Sequence, residues 1–175
     1  GISVNPLLFA RGFASYLHKQ GVRIYENTPL LSLGVNSVQT PHGEISYGAL
    51  FKCVGTGRQS TGVARYLTTL CATRRLSDKE LQYIGLIDKD MFFDNERRSY
   101  HYGKVTSDNR LLIGYGDMKC KNEYHKEYVH KPHVNNIKRF LERAFPGMGI
   151  TVEYAWSAQY ALSKADLPIV TILRN

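Results

Sequence analysis

The segment Arg110-Leu111-Leu112-Ile113 is short, branched and apolar, and it runs directly into Gly114-Tyr115-Gly116. Such a run fits a buried strand. Two glycines at its end let a backbone or a ligand approach closely, because no Cβ stands in the way. Upstream, Ser99–Thr106 has the same β-type composition, and Ser107-Asp108-Asn109 joins the two segments. Ser, Asp and Asn accept tight turns because their side chains bond nearby backbone and tolerate positive φ. The stretch Tyr100–Asp117 is therefore a hairpin around which the rest of the chain must be arranged. Spacing alone leaves two readings: an ordinary hairpin with a loose exit, or a strand whose glycines face a large planar ligand.

Along the chain, Asn5-Pro6 has the form of a helix start, with an Asn cap and Pro where its missing N–H costs nothing. Ala10, Phe13, Ala14 and Leu17 share one helical face, and Gly21 closes the helix. Val22–Glu26 and Thr28–Leu33 read as strands. Val38-x-Thr40, Pro41-His42-Gly43 and Ile45-x-Tyr47 form a hairpin pattern whose second arm continues to Val54 and Gly55-Thr56-Gly57. Ser60–Tyr66 suggests a short helix, and Leu67–Leu76 a strand. Ser77-Asp78-Lys79-Glu80 has the pattern of a helix cap with acidic residues in the first turn. Pro132 starts a longer helix with an apolar stripe of Val134, Ile137, Phe140, Leu141, Ala144 and Phe145, stopped by Pro146-Gly147. Ile150–Tyr160 reads as a strand with Val152, Tyr154 and Trp156 on one side. Asp166-Leu167-Pro168 is a turn into a last apolar segment. Segregated hairpins and helices make the fold class α+β, a mixed or antiparallel sheet with flanking helices. No G-x-G-x-x-G is present, so the sequence holds no dinucleotide-binding turn of its own.

The length of 175 residues suits one compact domain with a small appendage, and 43% apolar with 22% charged residues is ordinary for a globular chain. No apolar stretch is long enough to span a bilayer. Cys53, Cys71 and Cys120 are an odd set without C-x-x-C spacing, which predicts free thiols in a reducing, cytoplasmic compartment. Lys52 beside Cys53 invites a reactive-thiol reading, against which a buried structural Cys is preferred. The net charge of +8 allows a non-catalytic basic module for nucleic acid or protein as an alternative function. The positive residues are spread along the chain, however, and direct nucleic-acid binding is the lesser expectation. His125, His130 and His133 are expected at the surface, since their spacing does not stack them on one helical face.

Several pieces, in this order, resemble the FAD-dependent oxidoreductases of the D-amino-acid oxidase, glycine oxidase and sarcosine oxidase type. They are Val4-Asn5-Pro6 through Gly21-Val22; Tyr25-Glu26-Asn27-Thr28; Val38-x-Thr40-x-x-Gly43-x-Ile45; Val54-Gly55-Thr56-Gly57; Asp108 through Gly114; Phe145-Pro146; and Glu153-Tyr154-x-Trp156-Ser157 with Leu167-Pro168. Each piece is degenerate alone, but their order and spacing are fairly specific. The resemblance implies a central fragment of a longer enzyme, inactive by itself and binding FAD poorly without the phosphate-binding turn. It implies that residues 1–60 are the periphery of an FAD-binding domain, 61–150 a substrate-binding domain, and 151–175 a return segment toward the FAD domain.

The same resemblance implies FAD contacts from Leu30, beside the adenine, from Val54, Gly55 and Thr56 near the adenosine and pyrophosphate, and from Gly114 near the isoalloxazine. Substrate contacts would come from Tyr100, Tyr102, Trp156 and Tyr160. Strand alternation puts Tyr100 and Tyr102 on one face and His101 on the other, with cross-strand aromatic packing as the plainer account of all three. Arg110 is expected to pair with Asp108 or cap the hairpin turn rather than to anchor substrate, and a lone Trp is expected in the core. The reaction implied is oxidation of the C–N bond of an amine or amino acid, with the flavin doing the chemistry and no protein catalytic dyad. Members that oxidise amino acids commonly place Arg-Pro shortly after the Trp, where Arg anchors the substrate carboxylate. Here Gln159-Tyr160 stands instead. That departure weakens the case for an α-amino acid and makes an amine or a larger amino compound at least as plausible.

Overall fold

A computed structural model describes residues 4–53, 63–87, 92–94, 100–120 and 128–164, with 92–94 described for backbone only. The chain groups into two units, Gly1–Val54 and Gly55–Asn175.

The first unit holds α1 (Pro6–Lys19) and a three-stranded antiparallel sheet of β1 (Ser32–Leu33), β2 (Ser37–Thr40) and β3 (Gly43–Ser46). Asn5 caps α1 as expected: its Oδ1 accepts from the amides of Leu7 and Leu8 at 3.1 and 3.2 Å. Gly21 follows the helix with φ +86°. Two expectations are corrected. Val22–Glu26 forms no ladder among the described residues, and Thr28–Leu33 contracts to Ser32–Leu33. β-type composition yields no ladder without a neighbouring strand to pair with, and Val22 and Ile24 remain exposed. The expected hairpin at Val38–Ile45 forms, with Val38 opposite Ile45, but its second arm ends at Ser46.

The second unit is a five-stranded antiparallel sheet in the order β5-β6-β7-β4-β8. Its strands are β4 (Val63–Arg75), β5 (Phe92–Asp94), β6 (His101–Val105), β7 (Arg110–Lys119) and β8 (Val152–Ser163), with helices α2 (Asp78–Tyr83) and α3 (Lys131–Ala144). Val63–Tyr66, expected in a short helix, instead begins the long central strand β4. Its β-branched and aromatic residues pair with β8 over nearly its whole length. Residues 165–175, including the expected Asp166-Leu167-Pro168 turn, lie outside the described residues.

One face of this sheet carries the core. Cys71, Leu111, Ile113 and Val105 pack with Ile137 and Leu141 of α3 and Leu81 of α2. Burial pushes the Cys71 thiol up to about 11, so it behaves as a small apolar side chain. Cys120 is also buried, whereas Cys53 is exposed, contrary to expectation; all three are free. The apolar stripe of α3 faces this core, except that Ala144 stays exposed.

The Thr106–Arg110 turn behaves as its residues suggest. Asn109 takes φ +64°, and Thr106 Oγ1 donates to Asp108 at 2.7 Å. Arg110 then ties the hairpin to its neighbours. It donates to Asp108 at 3.0 Å and to the Thr73 carbonyl at 2.7 Å, pairs with Glu153, and lies 5.1 Å from the Tyr154 ring centre. Arg110 is thus a structural clamp, paired with Asp108 as expected. Arg74 is a second clamp, donating to Glu80 and to the Gly149 and Met148 carbonyls.

The two glycines of β7 do not open the strand to solvent. A Cβ on Gly114 would come within 2.6 Å of the Tyr102 phenol oxygen and nearer still to its ring. A Cβ on Gly116, at φ +82°, would come within 2.5 Å of the His133 imidazole. Each missing Cβ admits an aromatic ring of the same unit, Tyr102 on one face and His133 on the other. Gly114→Ala should therefore displace Tyr102 and cost about 1–3 kcal/mol, the usual penalty for overpacking, read as a lower urea midpoint at unchanged m-value.

The α2 cap adds a pH dependence. Ser77 and Glu80 form a reciprocal capping box. The bond from Arg74, with the Ser77 amide, holds the Glu80 carboxyl at about 2, against an unperturbed 4.5. The folded-state value is depressed, so this contribution is complete above pH 4.5 and is lost as pH falls toward about 2. Glu80→Gln should flatten the acid limb of stability in that window, followed by urea midpoints at successive pH values.

Candidate functional site

The face opposite the core gathers most of the residues singled out in the sequence. In one row across the strands stand Trp156, Leu70, Gly114 and Tyr102. A second row holds Ala158 and Thr68, and a third Tyr160, Tyr66 and Lys119. Strand alternation thus places Tyr102, Trp156 and Tyr160 on one side of one sheet. The Tyr100 ring joins them, 5.6 Å from that of Tyr102.

The expected grouping of Val152 with Tyr154 and Trp156 is corrected. Thr73 pairs with Val152 and Ala72 with Tyr154, so Glu153 is an extra residue that reverses the alternation. Val152 consequently packs against the core, whereas Trp156, expected in the core, is 41% exposed.

The hydroxyls on this face are held in place. Tyr102 OH lies 3.1 Å from Thr68 Oγ1. Tyr160 OH donates to Asp117 Oδ1 at 2.5 Å, and its ring stacks on Tyr66 with centroids 5.9 Å apart. Asp117 was not singled out in the sequence. It reaches this face because β7 carries an extra residue there: Leu67 pairs with Met118 and Thr69 with Tyr115, leaving Gly116 and Asp117 opposite Thr68. The second glycine of the opening motif was the available signal for that bulge. Burial first, then the bond to Asp117, raises the Tyr160 phenol well above its ordinary range, so it stays protonated and donating.

Gln159, which stands where the resemblance led one to look for a carboxylate anchor, turns to the core side and donates to Cys120 Sγ at 3.0 Å. Also on the core side, His101 stacks between Phe140 and Tyr115 and bonds Asn136 at 2.8 Å. His130 and His133 are half-buried, not on the surface as expected, and their rings lie 4.1 Å apart. His133 Nδ1 is 3.1 Å from Thr69 Oγ1. Burial, and then His130, lower its pKa. His125 lies outside the described residues. Among the described residues no group of three or more His, Cys, Asp and Glu side chains is placed to hold a metal ion.

The expected FAD contacts divide. Val54, Gly55 and Thr56 lie outside the described residues. Leu30 is exposed in the first unit. Gly114 lies on the open face, but the Tyr102 ring covers it, so its backbone is not bare. For the flavin itself, the open face supplies the exposed aromatic faces of Trp156 and Tyr154 and the fixed hydroxyls of Tyr102 and Tyr160. Those residues fit one wall of a site for a planar ring and its reaction partner. The pyrophosphate would have to be held by other residues, since the sequence has no G-x-G-x-x-G turn. Among the described residues no helix is long and apolar enough to cross a membrane.

A search of curated proteins returned no match. Among solved structures, glycine oxidase from Geobacillus kaustophilus is similar, with a TM-score of 0.69 at 17% identity. The similarity covers 91% of this chain and 43% of that one, so the chain spans less than half the length of that enzyme. At this identity the likeness speaks for the fold, an α+β arrangement of helices with antiparallel sheet. The family described as DAO, FAD dependent oxidoreductase, matches over residues 1–173. The chain therefore belongs to the FAD-dependent oxidoreductase family.

Proposed function

We propose that the five-stranded sheet is the substrate-facing wall of a flavoenzyme that oxidises a C–N bond of an amine or amino acid. The observation that carries this reading is the convergence of Tyr100, Tyr102, Trp156 and Tyr160 on the open face, in a chain whose family is FAD-dependent. Residues 1–60 would serve the periphery of the FAD-binding domain, with Leu30 at the adenine end, and Val54, Gly55 and Thr56 would pass by the ribose and phosphates. The α-helical back of the sheet, with its buried Ile137 and Leu141, would keep the wall rigid.

When bound, FAD supplies the acceptor for the hydride equivalent that leaves the C–N carbon. The protein's own part is orientation. Trp156 and Tyr154 offer flat apolar surface that removes water from one side of the substrate. The Tyr102 ring, fixed over Gly114 and tethered to Thr68, would bound the substrate on this wall. Tyr160 remains a protonated donor held by Asp117, so this part of the wall keeps one protonation state through neutral pH. With no electron-transfer group among its side chains, the chain by itself would be inactive.

Anaerobic reduction of the full-length protein tests this. Flavin absorption bands should be present and should bleach on addition of amine or amino-acid substrates. Tyr102→Leu, which removes the tethered ring, should slow bleaching roughly 10–100-fold, the scale of a lost positioning contact. A full-length protein without flavin bands, or with flavin that no C–N substrate reduces, would overturn the proposal.

A further inference from the structure

We infer that the Asp117–Tyr160 pair, with the rings around it, is a site for an organic ammonium group, and that the substrate is a cationic amine carrying no α-carboxylate. This deepens the proposed function and rests on its reading of the open face as the substrate wall.

The inference starts from the β7 bulge, which turns the Asp117 carboxylate onto the open face among aromatic rings. Tyr160 bonds Oδ1 alone, so Oδ2 can accept a second donor. Tyr66 stacks on Tyr160, and the rings of Tyr100 and Tyr102 stand together on the same face. Ring faces are the negative ends of their quadrupoles, so rings beside a carboxylate make a field that favours an organic cation. The hydroxyls of Tyr102 and Tyr160 are already engaged by Thr68 and Asp117, leaving the rings to present their carbon surfaces.

Among the described residues, the two arginines held at the ends of this sheet are committed elsewhere. Arg110 is held by Asp108 and Glu153, and Arg74 by Glu80. Gln159 faces the core side. Two lysines do share the open face by register, Lys104 opposite Leu112 and Lys119 opposite Tyr66. Lys119 is the alternative anchor, and it would favour an anion; the experiment must separate the two.

Trp156 is the single tryptophan of this sequence and lies on the same face, two positions along β4 from the Asp117 bulge. Its emission should therefore report binding to the 175-residue chain without any flavin turnover. The probes are benzyltrimethylammonium, its uncharged analogue benzyl alcohol, and benzoate, with calorimetry as a second readout independent of the fluorophore. The cation should bind saturably and most tightly of the three, and added salt should weaken it. Asp117→Asn should weaken it roughly tenfold, whereas Tyr160→Phe, which keeps both ring and carboxylate, should stay within about threefold. Benzoate binding as tightly as the cation, or an Asp117→Asn variant of unchanged affinity, would overturn the inference. The outcomes separate from those of the flavin experiment. Cation binding without flavin bleaching would sink the proposed enzyme but not this site; bleaching by amines with affinity indifferent to Asp117 would do the reverse.

Discussion

A strand that lacks a Cβ at two positions can be approached by a ring from either side, and β7 uses both. Gly114 seats Tyr102 on the open face, and Gly116 seats His133 on the core face. The second glycine also sits at the bulge, where its positive φ lets β7 take up an extra residue without strain. Three consequences follow from one local feature. Tyr102 reaches Thr68, α3 lies close through His133 and Thr69, and Asp117 emerges on the side of Tyr160. The open face and the core are thus coupled through the backbone of a single strand.

Around that strand the two faces obey different rules. The core face is apolar and closed by α3 and α2, and the polar groups within it are mostly paired: Thr69 with Ser157 and His133, and His101 with Asn136. The open face has aromatic rings with fixed hydroxyls and partial exposure, which is costly for folding alone and useful for binding. Arg74 and Arg110 hold the strand ends and turns.

Much of this was legible in the residues. Asn5-Pro6 and Gly21 mark α1, Ser77 through Glu80 marks α2, and the apolar stripe from Val134 to Leu141 marks α3, because caps and periodicity act over a few neighbouring residues. The hairpin turn at Asn109 and the alternation of Tyr102 against His101 are local in the same sense. Other features were not legible. Val22–Glu26 has strand composition but no ladder, since pairing needs a partner that composition does not name. Trp156 was expected inside and lies on the open face, because Glu153 shifts the alternation by one residue.

The sequence by itself determined α1, α2 and α3, the central hairpin, the α+β class and, through the order of its motifs, the family. These depend on side-chain chemistry acting within a few residues or on a pattern spread along the whole chain. Only the tertiary structure decided which side chains share a face. A single bulged residue turns every later side chain to the opposite side, and bulges arise from the pairing of strands distant in sequence. That is why Asp117 meets Tyr160, and why Gly114 is covered by Tyr102 instead of lying bare.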